Sequence, residues 1–308
     1  MIKILANDGI GKSAAGKLEE MGYKVDESHF EMEELKEAVR HIDVLTVRSA
    51  TKVTKDIIDA AKETGNLKLI IRGGVGTDNI DSDYAHENGI VVANTPNASS
   101  ASVAELVIGH MFSLARSIGI SNVTMRKGEW NKKQYMGIEI AGKTLGLIGS
   151  GRIAQETAKK ASALGMKVIY TNRTGEKDCF SEYNYCELHD LFKESDFISL
   201  HMPFKKGSKP LISAEEFALM KEGVFIINTA RGGIIDEKAL LEAIKSCKVS
   251  GAALDVFEEE PRINEELCAC PKVSVTPHIG GSTIEAQERI GGEVVSIIDR
   301  FFNKEKSL

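Results

Sequence analysis

Three short segments late in the chain carry side chains able to bind an anion and move a proton: Asn228-Thr-Ala-Arg231-Gly-Gly, Leu254-Asp255-Val-Phe-Glu-Glu-Glu260-Pro261 and Thr276-Pro-His278-Ile-Gly280-Gly. Arginine stays charged at every accessible pH, and its planar fork grips a carboxylate bidentately. Imidazole titrates near neutrality and can take up or return a proton, while a carboxylate on its second ring nitrogen fixes the tautomer and stabilises the cation. Taken alone, His278 fits a core or surface histidine as well as a catalyst. Arg231, Glu260 and His278 gain chemical meaning as a set.

A second constellation lies upstream. Thr144-Leu-Gly-Leu-Ile-Gly149-Ser-Gly151-Arg152-Ile153-Ala154 reads G-x-G-x-x-A directly after a predicted strand and before a helical stretch from Ala154 to Leu164. In this context Gly149 permits a tight turn, Gly151 lets backbone approach a pyrophosphate and Ala154 lets helix pack on strand. The pyrophosphate of a dinucleotide would meet the unpaired N–H groups of the helix N-terminus. About twenty residues on, where an NAD site has an acidic residue for the ribose hydroxyl, the chain reads Thr171-Asn172-Arg173-Thr174. Asn172 can bond a hydroxyl and Arg173 can pair with a 2′-phosphate, stack on adenine or face solvent, so NAD and NADP both stay open.

Elements that would position these residues follow from the apolar pattern. Short β-branched runs at Ile2–Leu5, Val44–Val47, Leu67–Ile71 and Ile90–Ala93 alternate with stretches of helical period, and so do Thr144–Ile148, Lys167–Tyr170, Phe197–Leu200, Val224–Asn228, Gly251–Leu254 and Val273–Thr276. The alternation predicts an α/β chain with two doubly wound parallel-sheet domains. Ser102-Val-Ala-Glu105 reads as a capping box opening a helix between the two, with Gly119 as its end. A last amphipathic segment, from about Thr283 to Phe302, is expected to return and cover the first domain.

Length and charge narrow the partners. With 308 residues there is room for about two domains. A formal charge of −6 gives no basic footprint for a nucleic acid, and no apolar run is long enough for a membrane helix. The N-terminus lacks the pattern of a signal peptide, so a cytoplasmic protein with five reduced, structural cysteines is expected, and no metal site is anticipated. An anionic substrate would have to be attracted locally against the negative average.

Taken with the fingerprint, the three late segments resemble the D-isomer-specific 2-hydroxyacid dehydrogenase family, over the stretch from Arg48 to about Glu293. The resemblance implies a Rossmann-type cofactor domain at residues 99–283 and a flavodoxin-like substrate domain at 1–98 and 284–308. It implies Arg231 as the arginine that binds the substrate carboxylate and 2-oxygen, Glu260 as the partner that orients His278 and raises its pKa, and His278 as the acid/base group. It places Asp255 near the nicotinamide, and sets His201, Pro203, Thr229, Ala230 and Gly280 along the cofactor beside Gly149, Gly151, Arg152, Ile153, Asn172 and Arg173. Arg72-Gly-Gly-Val75-Gly76 is similar to the family's glycine-rich loop, whose Val75 and Gly76 N–H groups would cradle a carboxylate. Arg48-Ser49 resembles the phosphoglycerate dehydrogenase branch, in which the arginine meets a phosphate. That likeness implies a small anionic 2-hydroxy or 2-oxoacid substrate, a role in L-serine biosynthesis, NAD as cofactor and a homodimer. An NADPH-dependent hydroxypyruvate or glyoxylate reductase and a non-catalytic dinucleotide sensor are the rivals. Only about six residues follow Phe302, so no added regulatory domain is expected.

Overall fold

A computed structural model describes residues 1–205 and 207–304. The chain forms two compact units, one made of Met1–Ser99 with Gly281–Leu308 and the other of Ser100–Gly280. The first unit opens with β1 (Lys3–Ala6), α1 (Lys12–Glu20), β2 (Lys24–Asp26), α2 (Met32–Ala38), β3 (Val44–Val47), α3 (Lys55–Lys62), β4 (Leu69–Arg72), α4 (Ser82–Glu87) and β5 (Val91–Asn94). Its strands are all parallel in the order β2-β1-β3-β4-β5, the flavodoxin-like arrangement. Because side chains alternate along a strand, Leu5, Leu45 and Ile70 pack on one face with Leu35 and Ile57, while Ile4, Val44, Leu69 and Ile71 pack on the other with Leu18. Burial on both faces explains why these strands read as continuous apolar runs.

The second unit runs through α5 (Ser100–Arg116), α6 (Ile118–Arg126), β6 (Thr144–Ile148), α7 (Arg152–Ala163), β7 (Lys167–Thr171), β8 (Asn184–Tyr185), α8 (Leu188–Glu194), β9 (Phe197–Leu200), α9 (Ala214–Leu219), β10 (Val224–Asn228), α10 (Glu237–Lys245), β11 (Val249–Leu254), α11 (Glu265–Ala269) and β12 (Val273–Val275). Its parallel sheet has the order β12-β11-β10-β9-β6-β7-β8, the dinucleotide-binding winding with one further strand at an edge. The winding reverses between β6 and β9, which is where such sheets open a ligand crevice. The chain then re-enters the first unit as α12 (Ile284–Lys304). Ile290, Val294, Ile298 and Phe302, four residues apart, form its buried stripe. Gly291 lets it approach α1 closely, since a Cβ there would lie 2.8 Å from that of Ala14.

Two expectations need correction. Ser102 and Glu105 do not form a capping box, because α5 already begins at Ser100; Ser102 is buried within the helix and Glu105 pairs with Lys160 at 3.2 Å. Gly119 does not end that helix. Ser117, in the left-handed region at φ 53°, breaks it, and Gly119 lies inside α6, which leaves at a 65° bend. Among the described residues no single helix is long and apolar enough to cross a membrane.

Candidate active site

Strand register lines up the candidate residues of the second unit. Ile148 pairs with Thr171 and with Leu200, Leu200 with Asn228, Asn228 with Leu254, and Leu254 with Val275. Asn172, Gly149, His201, Thr229, Asp255 and Thr276 therefore follow one another across a single row at the carboxyl edge of the sheet. Motifs more than a hundred residues apart meet because parallel strands of similar length end together.

The cofactor fingerprint takes the form its glycines require. Gly149 has φ 112°, and a Cβ there would run into the carbonyl of His201 on the neighbouring strand. Space around Gly151, the residue before α7, is open. Among the described residues no side chain caps that helix N-terminus and no acidic residue sits in its first turn, while Arg152 beside it is exposed. Ala154 is fully buried under the sheet. Thr229 Oγ1 is buried with no partner among the described residues, so a polar group remains to be met at this edge. Uncapped N–H groups, a positive dipole end and an orphaned hydroxyl fit an anionic dinucleotide. His201 is bonded to Ser199 Oγ at 2.9 Å and burial pushes its pKa down to about 3, so it is neutral at physiological pH. Pro203 is exposed and Ala230 partly buried.

At the ribose-binding position, Asn172 is engaged within its own turn. Its amide donates to Gly175 O at 2.7 Å and its carbonyl accepts from the Thr174 N–H and hydroxyl, both at 2.8 Å. Arg173 is exposed and makes no bond to a described residue. The charged group at this end of the site is thus a cation.

His278 and Glu260 meet directly. The imidazole Nδ1 lies 2.8 Å from Glu260 Oε2, and the other carboxylate oxygen accepts the Phe257 N–H at 3.1 Å. Burial raises the Glu260 pKa, but the His278 bond, the Phe257 N–H and the charges of His278 and Arg231 outweigh it and hold the carboxyl below its usual range. An ionised Glu260 keeps the proton on Nδ1 and leaves Nε2 for chemistry. Arg231 is partly buried, with one guanidinium nitrogen 2.6 Å from Ala230 O, and Asn228 ties its loop at both ends through Ala230 N and Arg231 O. Gly232 has no alternative, because a Cβ would overlap the Phe257 carbonyl of the Glu260 loop. The two loops approach closely at that point.

His278 itself sits at φ 53°, a backbone conformation uncommon for any residue but glycine. Asp255, 1% exposed, holds the turn in place. Its oxygens accept the Ile279 N–H at 2.8 Å, the Gly280 N–H at 2.9 Å and the Thr276 hydroxyl at 2.6 Å. Three donors satisfy the buried charge. The resemblance implies a place for Asp255 near the cofactor; in the structure its oxygens hold the turn after His278.

The first unit has its own edge. Arg48 follows β3, its N–H bonded to Asp8 at 2.6 Å, and its carbonyl accepts from Asn79 at 2.6 Å. Asp8 also takes the Thr51 N–H and hydroxyl, and Asn79 reaches Thr51 O at 2.7 Å. The Arg48–Thr51 loop, including the exposed Ser49, is clamped from two sides, while the Arg48 guanidinium makes no bond to a described residue. Beside it the Gly73 N–H bonds Val47 O at 2.8 Å. Gly74, at φ 153°, permits the turn that follows, where a Cβ would overlap the Arg72 side chain. The N–H groups of Val75 and Gly76 donate to no described residue. A permanent cation and two consecutive N–H groups without a described partner are an anion-binding arrangement. Asp8 and Asn79 were missed in the sequence; the available signal was Asn7-Asp8 directly after the first apolar run.

Among the described residues no cluster of His, Cys, Asp and Glu could hold a metal, and the five cysteines are unpaired. Sheet winding, fingerprint and the Arg-Glu-His set define a dinucleotide-dependent oxidoreductase. The sequence model for "D-isomer specific 2-hydroxyacid dehydrogenase, NAD binding domain" matches residues 108–280. A hydroxypyruvate reductase from Thermotoga maritima is 50% identical over 303 residues, covering 96% of this chain and 97% of that protein. A D-3-phosphoglycerate dehydrogenase from Methanocaldococcus jannaschii is 45% identical over 99% of this chain, which spans 58% of that protein's length. Among solved structures, a glyoxylate reductase from Paecilomyes thermophila superposes with a TM-score of 0.86 at 31% identity, over 96% of this chain and 93% of that one. The chain belongs to the D-isomer specific 2-hydroxyacid dehydrogenase family, whose substrates are small 2-hydroxy and 2-oxoacids.

Proposed function

We propose that the protein interconverts 3-phosphoglycerate and 3-phosphohydroxypyruvate, a step of L-serine biosynthesis. The observation that carries this reading is the clamped Arg48 loop after β3, with its unengaged guanidinium, and the open Val75 and Gly76 N–H groups in the loop after the neighbouring strand β4. An exposed arginine with no fixed neighbour is a common surface feature; here the backbone that carries the side chain is held by Asp8 and Asn79. A guanidinium binds phosphate bidentately, and a nearby pair of N–H groups suits a carboxylate.

When bound, the nicotinamide cofactor supplies or accepts the hydride. Arg231 grips the carboxylate and polarises the 2-oxygen, which orients C2. His278 Nε2 takes the hydroxyl proton during oxidation and returns it during reduction, and Glu260 stabilises the imidazolium between the two. In this reading residues Gly149–Ile153 hold the pyrophosphate and His201, Pro203, Thr229, Ala230 and Gly280 line the rest.

A second reading, reduction of hydroxypyruvate with NADPH, is favoured by the relative matching nearly full length and by the Asn172–Arg173 turn. Arg48→Met separates the two. If Arg48 binds phosphate, kcat/KM for phosphohydroxypyruvate falls about a hundredfold, as for loss of a charge-assisted pair of about 2 to 3 kcal/mol, while that for hydroxypyruvate changes less than threefold. Equal small effects on both substrates would leave hydroxypyruvate as the substrate.

For the cofactor, we infer that NADPH is accepted alongside or in place of NADH, since a cation occupies the position of the usual carboxylate. Arg173→Ala is expected to raise KM for NADPH about tenfold with little change for NADH. A homodimer is consistent with α6, where no residue is buried and Ile118, Val123 and Met125 are exposed.

A further inference from the structure

His110 lies in the middle of α5 and is 4% exposed. Its Nε2 is 3.1 Å from Thr276 Oγ1 and its Nδ1 is 3.1 Å from Ser274 Oγ, which lies 3.2 Å from Ser113 Oγ. The direction of every bond in this chain is determined. Thr276 donates its one hydroxyl proton to Asp255, so toward His110 it can only accept, and Nε2 must carry a proton. A neutral ring then has a bare Nδ1, which Ser274 meets with its hydroxyl, and Ser113 in turn donates to Ser274. Burial, opposed only by the Asp255 charge, lowers the His110 pKa and keeps the ring neutral. The chain ends on the carboxylate that pins Ile279 and Gly280, the two residues after His278.

We infer that His110 is a positioning residue for the turn carrying His278: by donating from Nε2 it fixes the Thr276 hydroxyl on Asp255, and through Asp255 it holds the strained His278 backbone. Without that donor Thr276 can rotate, and the anchor loses one of its three hydrogen bonds. The inference rests on the reading of His278 as the acid/base group, because only then does its orientation set a rate.

His110→Leu and His110→Gln test this. Glutamine offers an N–H donor and a carbonyl acceptor in place of the two ring nitrogens, whereas leucine fills the volume with neither. Expected for His110→Leu are a kcat about tenfold lower, with KM and cofactor affinity within twofold, and about tenfold faster hydrogen exchange at the Ile279 and Gly280 amides. His110→Gln is expected to stay within twofold of the unsubstituted protein in both measurements. Unchanged kcat or unchanged exchange in His110→Leu, or equal losses in both variants, overturns the inference. Should the unsubstituted protein reduce no 2-oxoacid, the reading of His278 fails, while the exchange data still decide whether His110 holds the turn.

Discussion

His278→Ala is expected to lower turnover by about three orders of magnitude while leaving dinucleotide affinity within a few-fold, because general acid/base catalysis contributes about 10²- to 10⁴-fold and the cofactor fingerprint lies on other strands. Steady-state kinetics and a cofactor fluorescence titration on the same preparation check both halves. Glu260 adds a pH signature. Its carboxyl is held below the usual range by the His278 bond and the nearby charges. A carboxyl lowered in this way contributes stability and the correct histidine tautomer above its unfolded value, and both are lost as pH falls through the lowered folded value. Turnover should therefore fall on the acid side as pH drops far enough to protonate Glu260. Glu260→Gln removes the charge and should reduce turnover by about a hundredfold. Near-normal turnover in His278→Ala would remove the histidine from the chemistry.

Arg231→Met is expected to reduce kcat/KM for any 2-oxoacid by about two to three orders of magnitude, the result of leaving a bound carboxylate without its partner at a cost of about 3 to 4 kcal/mol. Arg231→Lys should recover only part of this, since an ammonium cannot form the two parallel bonds of a guanidinium. The substitution also takes a cation away from Glu260, whose pKa should rise, so the acid limb of the rate profile moves to higher pH. A variant that loses only KM for one substrate, with no shift in the pH profile, would mean that Arg231 is remote from the Glu260–His278 pair in function.

Much of this architecture was readable in advance for a physical reason. Strands buried on both faces, such as Val44–Val47, Thr144–Ile148, Phe197–Leu200 and Val224–Asn228, must be apolar throughout and stand out between polar loops. Lys24–Asp26 and Asn184–Tyr185 escaped notice because they are short edge strands with exposed residues and no buried run to mark them. Chain segments that carry chemistry were visible as motifs, since Gly149, Gly232 and the His278 turn impose residue types locally. Their supports were not. Asp8 acts on Arg48 across 40 residues and His110 on Thr276 across 166, so nothing in either neighbourhood announces the bond. His110 in particular reads as one polar residue among Val107, Met111 and Ala115, and only the packing of α5 beside the last strand gives it a task.

The most direct test follows reduced-cofactor absorbance with purified protein and phosphohydroxypyruvate, hydroxypyruvate and glyoxylate, each with NADH and NADPH. The proposed function predicts turnover with a kcat/KM for phosphohydroxypyruvate at least tenfold above that for hydroxypyruvate, and a preference that collapses in Arg48→Met. Equal or greater efficiency with hydroxypyruvate would contradict it.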